Sequence, residues 1–310
     1  MRLARLIGAI FIVFAAGAGA FAAGDPPTPE CGSGDPEAVI AACSRIIDAG
    51  SDSRETMAVA FFYRAHAHAR KGDRDRAVAD FSEAIRLDNR NPEAYRRRGN
   101  LLAGMDDFAA AFADFESALA LEPDNVAVLA ARGFARFRQR DTDGAVSDYT
   151  EALRIDPKDV WSYRLRGIAR LASGAVGHAE ADFRQAAILQ PSNPYIALWF
   201  EVAARRNGIA GRLDEAVAEI DRTVWPGPIV DHYRGQLSRE ALLAAAGDAG
   251  PKDVIGRTCE AAFFAGELAI VEGDGNEARM LLERAQEICP SNYVEHTAAG
   301  VELEALAAAP

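Results

Sequence analysis

Positive charge is scarce in this sequence, and this scarcity limits the kinds of partner that it can bind. The 310 residues contain 34 Lys and Arg against 46 Asp and Glu, a formal net charge of −12 at pH 7. Nucleic acids and anionic lipid surfaces attract basic patches. A chain with this excess of acidic residues has no basic surface that would attract nucleic acids or anionic lipids, so we expect no nucleic-acid partner.

Motifs of catalysis and metal binding are also missing. The sequence has no nucleophile elbow, no phosphate-binding P-loop and no zinc-binding helix motif. His66 and His68 stand two apart on an expected helix, so their side chains diverge by roughly 200° and cannot share a metal ion. His178, His232 and His296 are isolated, and a surface or packing role suits each better. We predict a protein that is not an enzyme and has no cofactor and no metal.

The first residues of the chain have the pattern of an export signal. Two arginines precede an apolar run over residues 6–14, and residues 20–22 (Ala-Phe-Ala) offer a small-residue cleavage site. This is typical of a secretory signal peptide over residues 1–23; a retained membrane anchor is the alternative, although the run is short for one. No lipidation box follows. We expect an exported, periplasmic protein that is soluble after cleavage and not stably inserted in a membrane.

Cysteine is rare, with four residues in all. Four cysteines of an exported chain can pair in three ways. Cys31 and Cys43 flank the start of one expected helix, whereas Cys259 and Cys289 stand at the first and thirty-first places of a helical hairpin, which lie at the same end. We predict the bonds Cys31–Cys43 and Cys259–Cys289, with four free thiols or a metal site as alternatives.

A 34-residue pattern occurs four times without a gap, over residues 58–91, 92–125, 126–159 and 160–193. Each copy has a small residue at the eighth place, alanine at the twentieth and twenty-seventh, and an aromatic at the twenty-fourth. Small residues let two antiparallel helices approach closely, and the proline near the end of three copies stops the second helix. The pattern resembles the tetratricopeptide repeat, which implies an all-α solenoid of antiparallel helix pairs.

Two charged places recur in all four copies. The seventh place is arginine and the twenty-third is aspartate, near the point where the two helices of a hairpin cross. We predict half-buried ion pairs between these places, because a semi-buried arginine needs a carboxylate; a row of ligand-binding arginines is the alternative. The residues are Arg64, Arg98, Arg132 and Arg166 with Asp80, Asp114, Asp148 and Asp182.

The concave side of the predicted solenoid is the candidate binding surface. In tetratricopeptide repeats the second, fifth, ninth and twelfth places of the first helix face this side. A basic spot beside aromatic residues suits a partner peptide with an acidic group. The alternative is that a closing helix of the chain itself packs there. The predicted partner-binding residues are Phe62, His66, Arg96, Arg97, Asn100, Phe134, Phe137, Trp161 and Arg164.

The chain is less regular on either side of the four copies. We expect a helical segment with a disulfide over residues 24–57, and a degenerate repeat with irregular helices over residues 194–258. A final repeat with the expected small residues follows over residues 259–310. It ends in a capping helix over residues 293–308, which would hide the apolar end of the stack.

The C-terminal third carries a more specific set of motifs: Trp225-Pro226, Ile229-Val230, Tyr233, Gly235, Leu237-Ser238, Phe263–Gly266 and Asn292–His296. In order and spacing they resemble the NlpI-type periplasmic repeat lipoproteins, although the lipidation cysteine is missing here. The resemblance implies a non-enzymatic adaptor that binds peptidoglycan hydrolases or a processing protease, and it makes a homodimer conceivable. A constitutive structural subunit of an envelope complex is the alternative.

Overall fold

The computed structural model describes residues 27–50, 53–209, 211, 213–216, 218 and 220–308. Within these residues the chain is an all-α series of antiparallel helix pairs, which confirms the predicted fold class. The helices are α1 (Pro29–Gly32), α2 (Pro36–Ala49), α3 (Arg54–Arg70), α4 (Arg74–Leu87), α5 (Pro92–Gly104), α6 (Phe108–Leu121), α7 (Val126–Arg138), α8 (Thr142–Ile155), α9 (Val160–Ala172), α10 (Val176–Leu189), α11 (Pro194–Arg206), α12 (Leu213–Ala216), α13 (Gly227–Tyr233), α14 (Arg239–Gly247), α15 (Val254–Glu272), α16 (Gly275–Ile288) and α17 (Val294–Ala308).

The chain forms two compact units, and the boundary between them falls inside α7, between Ala135 and Arg136. In the N-terminal unit α2 packs on α3, α3 on α4, α4 on α5 and α5 on α6. In the C-terminal unit the order continues with α8 on α9, α9 on α10 and α10 on α11, and then with α15 on α16 and α16 on α17. Each unit is therefore built by neighbours along the sequence, as expected for repeats.

Acidic and amide side chains set where the helices of the repeats begin. The second helices start after Asp73, Asp107, Asp141 and Asp274, whose carboxylates accept a hydrogen bond from the backbone N–H three residues on. The first helices α5, α9 and α11 are capped in the same way by Asn91, Asp159 and Asn193. Such caps satisfy N–H groups that no carbonyl of the helix can reach.

Close approach within a hairpin depends on glycine. A Cβ atom on Gly99 would lie 2.8 Å from Cε1 of Phe115, and one on Gly167 would lie 2.8 Å from Cε1 of Phe183. Both rings are fully buried. Because a protein interior is packed as densely as an organic crystal, there is no space for a larger residue at these places. The aromatic residue at the twenty-fourth place of the repeat therefore requires a small residue at the eighth place.

Both pairs of cysteines are bonded. Cys31 and Cys43 have Cα atoms 4.9 Å apart and join α1 to α2. Cys259 and Cys289 have Cα atoms 4.8 Å apart and join the first part of α15 to the residue that follows α16. The second bond closes the last hairpin at the end from which the chain continues into α17.

Large aromatic side chains form the core beyond the fourth copy. Trp199 of α11 stacks on Phe183 with ring centroids 6.0 Å apart, and it packs against Phe263 and Phe264 of α15 at 5.2 and 5.4 Å. The hydroxyl of Tyr233 donates to the carbonyl oxygen of Phe264 at 2.8 Å. This cluster joins α11, α13 and the last hairpin, where the small-residue pattern is interrupted.

The predicted signal peptide, residues 1–23, lies outside the described residues. Within the described part of the chain, none of the helices combines the length and the apolar content needed to cross a bilayer. The longest of them, α15, has nineteen residues, but Glu260 and Glu267 interrupt its apolar sequence.

Candidate partner-binding surfaces

Bidentate ion pairs link the two helices of each N-terminal hairpin. Arg64 donates through Nε and Nη2 to the two oxygens of Asp80, both at 2.8 Å. Arg98 does the same to Asp114 at 2.8 and 2.7 Å. These hydrogen bonds raise the pKa of both arginines, although partial burial opposes the effect. The guanidinium groups are therefore held inside the hairpins rather than offered to a ligand.

A hydroxyl group of the preceding helix accepts the third hydrogen bond of these arginines. Nη1 of Arg98 donates to Ser82 of the preceding copy at 3.0 Å, and Nη1 of Arg64 donates to Ser44 of α2 at 3.0 Å. Sequence reasoning missed these partners. The signal was present, because a hydroxyl stands at the twenty-fifth place of the first and third copies. Each arginine thus ties its own hairpin to the one before it.

The C-terminal unit repeats this arrangement. Arg166 donates to both oxygens of Asp182 at 3.0 and 2.7 Å, and its Nη1 donates to Thr150 at 3.1 Å. Asp148 of the third copy forms an ion pair with Arg136 at 2.8 Å. Asp148 and Asp182 are both almost fully buried beside a guanidinium group.

The final copy differs from the others in this pattern. Arg132, at the arginine place of the third copy, is half-buried like the arginines of the other three copies. In the final copy the two places hold Ala265 and Leu281, and both are buried. Both charged residues are thus replaced together in the final copy. This is expected if a charged pair and an apolar pair are alternative ways to fill the place where the two helices of a hairpin cross.

Helices α3 and α5 carry the predicted basic spot of the N-terminal unit. The carboxylate of Glu93 accepts hydrogen bonds from Nε and Nη2 of Arg96 at 2.7 and 2.6 Å, and from Nε of Arg97 at 2.6 Å. Arg96 is buried, whereas the Arg97 side chain is 34% exposed. Glu93 thus lies between two guanidinium groups, of which only that of Arg97 is well exposed. We call His66, Glu93, Arg96, Arg97 and Asn100 the α3–α5 face.

The electrostatics of the α3–α5 face follow from partial burial. Burial lowers the pKa of Arg97; Glu93 opposes this effect and Arg96 adds to it. Burial also lowers the pKa of His66 to about 4, and Arg97 acts in the same direction, so that His66 is neutral at pH 7. Burial disfavours the charge of Glu93, but its two arginines lower its pKa overall. The face therefore keeps an incompletely solvated positive charge in an acidic protein.

The aromatic residues predicted as anchors lie mostly in the interior. Phe62 is only 5% exposed and packs edge-on against Phe81, with ring centroids 5.5 Å apart. Phe137 is 2% exposed, and Phe134 is half-buried. Phe62 and Phe137 therefore lie in the core, and the exposure that the prediction expected of them is not found. A large ring at the edge of a helix interface gains more by turning into the core than by facing water.

In the C-terminal unit, α17 packs against α9, the helix that carries two of the residues predicted to bind a partner. Helix α17 ends the array by packing on α16, and it also contacts α15 and α9. Trp161 and Arg164 belong to α9, and the Arg164 guanidinium lies 4.6 Å from the centre of the Trp161 ring. Burial lowers the pKa of Arg164, opposed first by the charge of Glu295 on α17. The alternative of a closing helix packed on its own repeats therefore applies to this unit.

Two carboxyl groups share the buried surroundings of Arg164. Glu260 of α15 accepts hydrogen bonds from the Tyr195 hydroxyl at 2.9 Å and from Nε1 of Trp225 at 2.6 Å. Burial and the neighbouring Glu295 raise the pKa of Glu260 to about 7. Burial also raises the pKa of Glu295, and Arg164 opposes this. We call Glu260 and Glu295 the first acid pair.

A second acid pair, Glu267 and Glu302, lies further along the same two helices. Arg206 of α11 forms ion pairs with Glu302 and, at 3.3 Å, with Glu267. Burial and the charge of Glu302 raise the pKa of Glu267 to about 8. Each helix thus places two acids seven residues apart, on one face, because seven residues are close to two turns. Sequence reasoning missed both pairs, although this spacing among small residues was a readable signal.

The histidines take part in separate local contacts. His68 lies 3.9 Å from carboxylate oxygens of Asp73 and Asp80, and Nδ1 of His232 lies 2.9 Å from the carbonyl oxygen of Leu237. Across the described ranges, no cluster of three or more His, Cys, Asp or Glu side chains is arranged to hold a metal ion.

Comparison with known families identifies the repeats. Models of the tetratricopeptide repeat match residues 58–91, 96–160 and 131–194. The fold is thus a tetratricopeptide-repeat solenoid, a class of protein-interaction scaffold. None of the curated proteins matches the sequence.

Solved structures give the same fold. PilF of Pseudomonas aeruginosa is 16% identical, with a TM-score of 0.50 over 81% of this chain and 98% of that chain. A tetratricopeptide repeat protein from Parabacteroides merdae is also 16% identical, with a TM-score of 0.50 over 80% of this chain and 97% of that chain. At such identities the likeness concerns the fold alone. The resemblance to the NlpI-type lipoproteins stays a prediction.

Proposed function

We propose that this protein is a non-enzymatic adaptor of the cell envelope, which binds an acidic segment of a partner protein on the α3–α5 face. The observation that carries the proposal is the position of Glu93 between Arg96 and Arg97. Arg97 is the more exposed of the two arginines, so its guanidinium can pair with a second carboxylate that a partner supplies.

The chemistry of Arg97 supports this role. Its Nε is bonded to Glu93, and a guanidinium has two further nitrogens with which it can bind another carboxylate. Its side chain is exposed enough to be reached and buried enough to be poorly hydrated. Charge-assisted hydrogen bonds are strongest under these conditions. Asn100, one turn further along α5, adds an amide that can bind the backbone of a peptide.

The class of partner comes from the sequence resemblance. It points to peptidoglycan hydrolases or a processing protease, which are exported proteins. The predicted signal peptide and the two disulfides support an oxidising compartment outside the cytoplasm for this chain. A homodimer is compatible with this role, since the C-terminal surfaces are left for other contacts.

The proposal is tested by affinity purification of the tagged full chain from envelope extract. The unaltered protein is compared with Arg97→Gln, which removes the charge of the α3–α5 face. Arg90→Gln is the matched control, because Arg90 is exposed in the turn before α5 and loses the same charge. We expect hydrolases or a protease with the unaltered protein and the control, and at least a tenfold loss with Arg97→Gln, or about 1.4 kcal/mol.

Two other results would be decisive. Equal recovery of partners with Arg97→Gln would remove binding from the α3–α5 face. The second result is the migration of the protein at its natural level. If all of it comigrates with one large complex and none is free, the protein is a constitutive structural subunit rather than an adaptor.

A further inference from the structure

Helix α17 fully buries few large apolar side chains, although Val301, Leu303 and Leu306 are half-buried. Its buried residues are Val294, Glu295, Thr297, Ala298, Ala299, Gly300 and Glu302. Only the first of these has a branched aliphatic side chain. Hydrophobic stabilisation grows with the apolar area that is removed from water. By contrast α16, its neighbour, buries two leucines, so α17 depends more on its polar contacts than the preceding helix does.

Arginines from three elements reach α17. Arg140, in the turn before α8, donates to the carbonyl oxygen of Thr297, and Arg279 of α16 donates to that of Leu306 at 3.2 Å. Arg206 of α11 pairs with Glu302. A Cβ atom on Gly300 would lie 2.0 Å from Nη2 of Arg140, so the glycine makes room for that contact. The helix is thus fastened by guanidinium groups along its length.

The carboxyl groups of the two acid pairs outnumber the guanidinium groups that lie beside them. The two acid pairs contribute four carboxyl groups, and Arg164 and Arg206 contribute two guanidiniums. All four acids are no more than 6% exposed. With every carboxyl ionised, two negative charges would be left over in a region of low dielectric, which is strongly unfavourable. One proton kept within each acid pair removes that excess.

We propose that α17 is a strap over the α9 surface, fastened by a proton held within each acid pair, and that it detaches when those protons are lost. Each pair joins α15 to α17, so repulsion between its two carboxylates acts directly across the interface. Detachment would uncover Arg164 on α9, which lies beside Trp161 and corresponds in the repeat to Arg96 of the α3–α5 face. The strap does not depend on the function proposed for that face.

The direction of the pH dependence follows from the carboxyl groups. Their pKa values are raised with α17 in place, for Glu260 to about 7 and for Glu267 to about 8, from an ordinary value of 4.5. The closed state therefore binds more protons than the open one. Closure is most stable below about pH 4.5, weakens progressively as the pH rises, and is weakest above about 7 to 8, where both states have lost these protons.

The other charged or polar groups around the acid pairs either do not change their charge between pH 5.5 and 8.5 or lie at the periphery of the interface between α15 and α17. Tyr195 and Trp225 donate to Glu260 and keep their protons in this range, since burial raises the pKa of Tyr195 far above neutrality. The remaining groups are Arg164 on α9, Arg206 on α11, Tyr293 before α17, His296 and Glu304 on α17, and Arg140, whose side chain lies 3.8 Å from Glu304. Arg140 and Arg279 also carry positive charge at α17, but they bond to Glu304 and to backbone carbonyl oxygens of the helix.

Hydrogen–deuterium exchange of the full chain tests the strap. Protection of the amides of residues 294–308 is measured between pH 5.5 and 8.5 and corrected for the intrinsic rate. We expect it to fall roughly tenfold or more over this range, while protection of residues 92–121 in the N-terminal unit stays constant. The double variant Glu260→Gln/Glu267→Gln, which cannot ionise at these places, should stay protected at pH 8.5.

Matched controls separate the strap from general unfolding. Glu283→Gln/Glu287→Gln removes two exposed acids of α16 and should leave the pH dependence unchanged. Glu302→Gln, on α17 itself, should reduce the dependence even if the double variant folds poorly. Protection of α17 that does not change with pH, or that is lost only together with protection of α16, would overturn the proposal.

Discussion

Arg98 and Asp114 meet through two parallel hydrogen bonds, at 2.8 and 2.7 Å, across the second hairpin of the repeat array. The aspartate is 4% exposed, so its carboxylate depends on the arginine for a charged partner. The arginine also bonds Ser82 of the preceding hairpin. One side chain therefore stabilises both the hairpin and its stacking.

Replacing Arg98 with alanine should destabilise the N-terminal unit by about 2–3 kcal/mol, because it leaves a buried carboxylate without a partner. This loss of stability is smaller than that expected for a fully buried ion pair, because the Arg98 side chain is partly exposed. Chemical denaturation followed by circular dichroism measures it. The control is Arg86→Ala, which breaks an exposed ion pair with Glu83 at 2.9 Å and should cost less than about 0.5 kcal/mol.

The final copy suggests how the loss could be recovered. It holds an apolar pair, Ala265 and Leu281, at the same two places. Arg98→Ala/Asp114→Leu should therefore regain at least half of the stability lost in Arg98→Ala, because it removes the unpaired charge. A double variant that is less stable than the single one would show that the carboxylate is not the cause of the loss.

The sequence predicts those parts of the fold that are periodic. Small residues, aromatic residues and prolines recur every 34 positions, because each hairpin meets the same neighbours. The ion pairs were also readable, since Arg98 and Asp114 recur together. Glu93 between Arg96 and Arg97 follows from helix geometry, in which residues three and four apart are neighbours.

The rest depends on contacts between distant parts of the chain. The spacing of residues on α17 does not predict which helices Glu295 and Glu302 pack against. Their partners come from α9, α11 and α15, more than ninety residues upstream in the case of Arg206. Phe62 was misplaced for a related reason, since its direction depends on Phe81 of the next helix. Patterns along a helix give its faces, but not the identity of the surface that covers them.

The close approach of the second hairpin gives a sharp steric prediction. Gly99→Ala should lower the free energy of unfolding by about 1–3 kcal/mol, because the new Cβ atom would lie 2.8 Å from a buried Phe115 carbon. Gly104→Ala, on the same helix, meets no atom within 4 Å and should be neutral or stabilising by up to about 1 kcal/mol. Denaturant titrations of the two variants compare them directly. Equal effects would contradict the steric account.

The export prediction concerns residues 1–23. The mature protein should be found in the periplasmic fraction, with an N-terminus within one or two residues of Ala23, because cleavage is expected after the small residues at positions 20–22. Deleting residues 2–23 should retain the chain in the cytoplasm with its thiols reduced. Fractionation and intact mass spectrometry measure both. A full-length mass with its first residue intact in the membrane fraction would instead support a retained anchor.

The bond between Cys259 and Cys289 should matter most for the C-terminal unit. It closes a loop of 30 residues, so Cys259→Ser/Cys289→Ser should cost about 3–4 kcal/mol in the chain-entropy account. Cys31→Ser/Cys43→Ser is the comparison; its loop of 12 residues predicts a loss of about 3 kcal/mol, confined to α1, α2 and their contacts. Denaturation with probes in each unit separates the two effects. Alkylation should find no thiol before reduction and four after it. Four reactive thiols in the mature protein without reductant would contradict both bonds.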